Sequence, residues 1–322
     1  MTHAKRLPAI VLIVIMMLSI IPASAMAAKQ QGWEKNDDGK WTYYEDGVMI
    51  KNQWFKIGGK WYYFYSDGSM AASTIVPDDE GKNFYIVEAG GAMITKAGWT
   101  SLKITTDGET YTIWFYLKKG GAATIGWKKI SKKWYYFAEF AGIMINGEIC
   151  PEGFEIEGEM YFFNKDGSLK TKSWVKNSDG YWYYLDKDGK RVTGWQKISK
   201  KWYYFEAKDK DYMYVMYSGW WLNDPEESNK WYYFSKNGVM VTNDWVEDID
   251  EDEDKTYWYY QGADGLSVMG WKKISGKWYY FDPQDYGACV MGTYMQIGNK
   301  WYQFDKNGVC VNPSGSDTGP LQ

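Results

Sequence analysis

The stretch GWKKISKKWYYF occupies residues 126–137. It returns as GWQKISKKWYYF at 194–205 and as GWKKISGKWYYF at 270–281. Near-identical phrases at a recurring interval mark an array of repeats of roughly 20–28 residues, held together by stacked neighbours instead of one enclosed core. Each phrase reads as a β-hairpin. Residues 127–130 form a first strand, Ser131, Lys132 and Lys133 a polar turn, and residues 134–137 a second strand of β-favouring aromatics. Other copies carry stronger turn signals in Gly58-Gly59, Asp179-Gly180 and Gly298-Asn299. A loop with Asp-Gly or Asn-Gly and an apolar residue follows, as in Asp67-Gly68-Ser69-Met70 and Asn237-Gly238-Val239-Met240. A lone hairpin is marginal in water, so its neighbours must stabilise it.

Extending the phrase in both directions gives about twelve copies over residues 28–312, an all-β array that leaves no room for a separate catalytic domain. Two copies have lost both tryptophans, keeping Ile75 and Asn83 in one and Phe154 and Met160 in the other. Insertions swell the turns at 100–111, 222–230 and 246–257. Residues 313–322, PSGSDTGPLQ, read as a disordered polar tail.

The N-terminus reads as an address. His3, Lys5 and Arg6 precede an apolar run at 9–21, and Pro22 leads into the small residues Ala23, Ser24, Ala25 and Ala27. Residues 1–27 are expected to be a secretory signal peptide, too short for a comfortable membrane span. No later segment is apolar enough to cross a bilayer, so the mature chain is expected to be secreted. Losing Lys5 and Arg6 takes the 37 basic residues to 35 and the formal charge from −4 to −6. That balance argues against nucleic acid, which needs a basic footprint.

His3 is the only histidine, so the mature chain has none for a Ser-His-Asp triad, a Cys-His pair or a His-based metal site. No pair of carboxylates is set apart for glycoside hydrolysis. The acidic run EDIDEDED at 247–254 alternates Asp248, Asp250 and Asp252, but Glu253 stands where a calcium loop needs glycine, and a solvated hairpin tip is the simpler reading. The expectation is a non-catalytic chain without metal or cofactor. Cys289 and Cys310 fall at one phase of the repeat, where other copies place Met; they read as apolar fillers or, alternatively, as an inter-repeat disulfide.

Aromatics make up 19% of the chain, with 20 Trp and 29 Tyr at a mean hydropathy of −0.53, so many rings must lie near the surface. Strand side chains alternate, placing Trp134 and Tyr136 on one face and Tyr135 and Phe137 on the other. A first-strand Trp, a second-strand Trp and an aromatic of the next hairpin can then enclose a niche. Such a cage suits a quaternary ammonium, which carries charge but no hydrogen-bond donor. Each cation–π contact contributes about 0.5–2 kcal/mol. Three rings give a site of about millimolar strength, which linked sites raise by about 10²–10⁴ on a polymer.

The pattern G-W-x-K-x-x-x-K-W-Y-Y-F-x-x-x-G-x-M resembles the cell-wall-binding repeat of choline-binding surface proteins of Gram-positive bacteria and their phages, over essentially all of residues 32–312. Related repeats occur in glucan-binding and toxin domains. The resemblance implies a left-handed β-solenoid with choline head groups of teichoic acid between successive repeats, held by two Trp of one and an aromatic of the next, and it allows ligand-promoted dimers. Carried across, it implies cages of Trp33 and Trp41 with Tyr63, Trp174 and Trp182 with Tyr204, and Trp195 and Trp202 with Tyr233. Further cages pair Trp54 and Trp61 with Tyr85, Trp127 and Trp134 with Phe162, and Trp245 and Trp258 with Tyr280. Trp271 and Trp278 face a final copy with Gln303 in the closing place. The same rings could instead stack on sugars of a wall glycan, or serve as packing in an adhesive spacer with vestigial sites.

Overall fold

The computed structural model describes residues 31–106, 108–207, 214–216, 218–222, 231–252 and 254–320; the expected leader lies outside them. All regular elements among the described residues are strands, paired as antiparallel hairpins that each form a sheet of two or three strands. The three signature phrases share one register. Trp127 lies opposite Tyr136 and Lys129 opposite Trp134, and the same pairs recur at 194–205 and 270–281. The turn is two residues long, because Lys133 already pairs with Ile130. Ser131 and Lys132 both take positive φ, 46° and 69°, the mirror-image turn whose twist matches that of paired strands.

Main-chain bonds join one hairpin to the next. After many of the hairpins the loop adds a short bridge to its own second strand and donates back to the preceding copy. Met70 pairs with Phe64 and its N–H donates to the Trp41 carbonyl at 2.7 Å. Met93 donates likewise to Trp61, Met144 to Trp114, Met240 to Trp202 and Cys310 to Trp278, at 2.8–2.9 Å. Side chains reinforce this step. The Phe ending each WYYF phrase is sealed from solvent at Phe64, Phe137, Phe205, Phe234 and Phe281. The loop Met of one copy lies on the loop Gly of the next: a Cβ on Gly91 would sit 2.2 Å from Met70 Sδ.

The described residues divide into two compact units, one of those from 31 to 172 with 187–190, the other of those at 173–186 and from 191 to 320. In the first, the copy lacking tryptophan becomes aliphatic core: Ile75 and Ile86 lie opposite each other and pack with Leu102, Ile113, Phe115 and Leu117. This register makes Phe84, not Asn83, the leading residue of that second strand. The insertion at 100–111 does not swell a turn; it lengthens both strands, Gly98–Thr106 and Glu109–Leu117. In the second unit, the insertion at 246–257 does the same, with strands Asp244–Asp250 and Lys255–Gln261. Its acidic run therefore forms the end of a strand and the hairpin tip, and among the described residues no cluster of metal-ligating side chains comes together.

Residues 314–316 bond to the hairpin before them. Trp301 and Ser316 exchange main-chain bonds of 2.8 and 2.9 Å, and Lys300 Nζ donates to the Ser314 carbonyl at 3.1 Å. Trp301 is a second-strand Trp, and its carbonyl accepts from the Ser316 N–H as the Trp41 carbonyl does from the Met70 N–H. The tail's polar composition concealed this because the bonds are main-chain and independent of side-chain type. Cys150, Cys289 and Cys310 are free thiols. Cys289 replaces the loop Met, with a Cβ on Gly308 only 2.7 Å from its Sγ, and burial pushes its thiol up to about 12.

Candidate functional site

Each cage begins within one hairpin. Residues directly opposite on paired strands project to the same side, so the first-strand Trp meets the third residue of its own WYYF phrase. Trp195 contacts Tyr204 at 5.4 Å and Trp271 contacts Tyr280 at 5.2 Å. The second-strand Trp, two residues earlier on that face, stands at right angles to it. The pairs Trp33–Trp41, Trp127–Trp134, Trp174–Trp182, Trp195–Trp202 and Trp271–Trp278 have centroids 6.2–6.4 Å apart at 83–90°.

The ring of the next copy that meets the first-strand Trp is the second residue of its WYYF phrase, one position before the residue expected from the sequence. Tyr62, not Tyr63, meets Trp33 at 5.0 Å. Tyr203, not Tyr204, meets Trp174 at 4.9 Å, and Tyr232, not Tyr233, meets Trp195 at 4.8 Å. Tyr279 replaces Tyr280 against Trp245, and Tyr161 replaces Phe162 against Trp127. Tyr302 fills the place assigned to Gln303, 4.7 Å from Trp271. Alternation explains all of these. The second and fourth residues of WYYF share the face turned back to the preceding hairpin, which is why Phe205 also touches Trp174 and Phe234 also touches Trp195.

Trp99, Trp114 and Tyr135 form a further cage, with distances of 6.5 and 5.1 Å, that was not among the expected sites. The insertion between the two tryptophans hid a register that places Trp99 opposite Tyr116 and Ser101 opposite Trp114. Conversely, Trp54 meets Tyr63 and Tyr85, and Trp245 meets Tyr260, but among the described residues neither makes the perpendicular contact with Trp61 or Trp258.

The rings reach solvent. Trp41, Trp61, Trp114, Trp134, Trp182, Trp202 and Trp278 are each 38–44% exposed. Between Trp174, Trp182 and Tyr203 lies a cavity of about 320 Å³, completed by Met216, Lys236 and Asn237. Met216 is held on Gly238, where an added Cβ would fall 2.3 Å from its Sδ. Lys176, two residues after Trp174, sets its ammonium 5.6 Å from the Trp182 ring centroid without lining the cavity. Lys35, Lys129, Lys197 and Lys273 repeat this contact at 5.1–5.9 Å on Trp41, Trp134, Trp202 and Trp278. Burial pushes the phenols of Tyr204, Tyr279 and Tyr280 up, so these rings offer neutral π-faces near pH 7.

Known proteins share this repeat. The choline-binding repeat model matches residues 53–97, 173–213 and 268–311, and the cell-wall-binding repeat model matches 125–144 and 221–240. The chain belongs to this choline-binding and cell-wall-binding repeat family. Among solved structures it is similar to choline-binding protein F from Streptococcus pneumoniae, with 26% identity, 87% of this chain and 98% of that one covered, and a TM-score of 0.51. The same protein crystallised in the presence of a peptidoglycan analogue, a tetrasaccharide-pentapeptide, matches with 25% identity, the same coverage and a TM-score of 0.52. Among curated relatives, glucosyltransferase-S of Streptococcus mutans serotype c is 27% identical over 76% of this chain, and glucosyltransferase-I of Streptococcus downei 26% over 73%. The chain spans only 15% and 14% of those relatives' own lengths.

Proposed function

We propose that this chain is an exported, non-catalytic wall-binding protein whose cages hold the quaternary ammonium of choline on a teichoic acid, several weak sites acting together on one polymer. The observation that carries this reading is the solvent-accessible box of Trp174, Trp182 and Tyr203 with Met216. Perpendicular neutral rings surround a permanent cation without asking it for a hydrogen bond, which a trimethylammonium head cannot give. The successive hairpins would stack as a left-handed solenoid, each new step adding one niche. Isothermal titration with choline tests it. The wild-type chain should bind in the millimolar range, and millimolar choline should release it from choline-bearing walls. Retention on such walls in high choline would overturn the reading.

A second reading is favoured by the glucosyltransferase relatives: exposed rings stacking on a glucan or the peptidoglycan sugar chain. Under it, dextran or wall glycan retards the chain in an affinity gel and choline does not compete.

A further inference from the structure

The Trp174 cage contains a residue that a bare cation would avoid. Lys236 lines the same cavity as the rings, next to Asn237. Both lie on the exposed loop that ends at Gly238, the glycine on which Met216 is seated. Among the described residues Lys236 forms no ion pair and the Asn237 amide no hydrogen bond. An ammonium at the mouth of a cation niche repels an isolated cation; it favours a ligand whose anion follows a few atoms behind. Taken with the choline reading, on which this rests, we propose that the cage is a two-part site for a choline phosphodiester: trimethylammonium against Trp174, Trp182 and Tyr203, phosphate on Lys236 and Asn237. The cages are then not equivalent. One repeat further on, a Cβ on Gly265 would lie 2.6 Å from Met240, repeating the Gly238–Met216 approach. The two residues before that glycine are Ala263 and Asp264, so the corresponding loop carries no lysine beside the Trp195 cage, and the Asp264 carboxylate accepts within its own loop, from the Leu266 N–H at 3.1 Å.

The test uses the full chain labelled with 5-fluorotryptophan. The Trp182 and Trp202 signals are assigned by their loss in Trp182→Phe and Trp202→Phe, and the protein is titrated with choline and with glycerophosphocholine. At Trp182 the diester should bind about two- to fivefold more tightly than choline, the range expected of an exposed charge pair, and the advantage should fall with added salt. Lys236→Met should remove the advantage, weakening the diester and, with the ammonium's repulsion gone, strengthening choline. Trp202 should show no preference for the diester. Equal affinities at Trp182, or a preference that survives Lys236→Met, overturn the two-part site but leave the choline reading standing. No response of either signal to either ligand overturns both. Phosphatidylcholine vesicles form a parallel arm: a Trp182 shift assigns the diester to a lipid head group, and a shift with the soluble diester alone assigns it to a non-lipid source.

Discussion

Replacing Gly238 by alanine tests the coupling between the array's backbone and its binding niches. Gly238 has φ of +69°, and an added Cβ would lie 2.3 Å from Sδ, 2.4 Å from Cγ and 2.7 Å from Cε of Met216. Carbon contacts settle at about 3.5–4.0 Å, so the whole Met side chain, not only its tip, must withdraw by more than about 1 Å. Two costs combine. Left-handed backbone costs a residue with a Cβ about 1–2 kcal/mol, and overpacking adds about 1–3 kcal/mol. Gly298 separates them, because its φ is +63° and nothing lies within 4 Å of its Cβ position. Gly298→Ala should therefore show the backbone cost alone, about 1–2 kcal/mol, and Gly238→Ala about 2–5 kcal/mol.

Urea unfolding followed by tryptophan fluorescence measures both, provided the slopes agree. A double variant completes the cycle. Met216→Ala clears the space, so Met216→Ala with Gly238→Ala should cost less than the two singles added, by at least about 1 kcal/mol. Equal costs for the two glycines, or strict additivity in the cycle, would refute the proposed Met216–Gly238 contact. Because Met216 also lines the cavity, Gly238→Ala should weaken choline binding at Trp182 while sparing Trp202.

Four further outcomes are expected. Tyr203→Ala should abolish the choline response of Trp182 and leave that of Trp202 measurable, whereas Tyr204→Ala, which removes the ring under Trp195, should do the reverse. Deleting residues 314–322 should expose the Trp301 amide, which now donates to the Ser316 carbonyl; hydrogen exchange at Trp301 should quicken while that at Trp202 is unchanged. Cys289 should resist alkylation at pH 8 in the native chain and react once the chain is unfolded, since burial pushes its thiol up to about 12 and the thiolate is the nucleophile. The ammonium of Lys133, with help from Ser168, holds the Asp166 carboxyl down at about 2. That stabilisation is present above the ordinary carboxylate pKa and is lost as pH falls from about 4 towards 2. Both side chains are more than half exposed, so Asp166→Asn should cost less than about 1 kcal/mol at pH 7, and the difference should shrink steadily as the pH falls towards 2.

The hairpins and paired tryptophans were legible in the sequence because both are local. Trp127 and Trp134 are joined by a turn that fixes their register, and alternation then places both rings on one face. The closing ring was not legible from spacing alone, since it depends on which face of a hairpin turns towards the copy before it. A signal was available nonetheless. Phe205 has no polar atom and must be buried, and Tyr203 shares its face, so Tyr203 accompanies Phe205 against Trp174 while Tyr204 stays with Trp195. The glycine–methionine contacts were hidden for the same reason, being contacts between successive loops. Loss of a cage and loss of the array are separate events. At the copy with Ile75 both tryptophans are gone, yet Met93 still donates to the Trp61 carbonyl and Ala123 to the Phe84 carbonyl, each at 2.8 Å. The step from hairpin to hairpin is made by main chain and a buried fourth residue, neither of which needs tryptophan. Each Trp pair is therefore free to vary with the ligand it meets, and neighbouring cages such as those of Trp174 and Trp195 can acquire different chemistry within one unit.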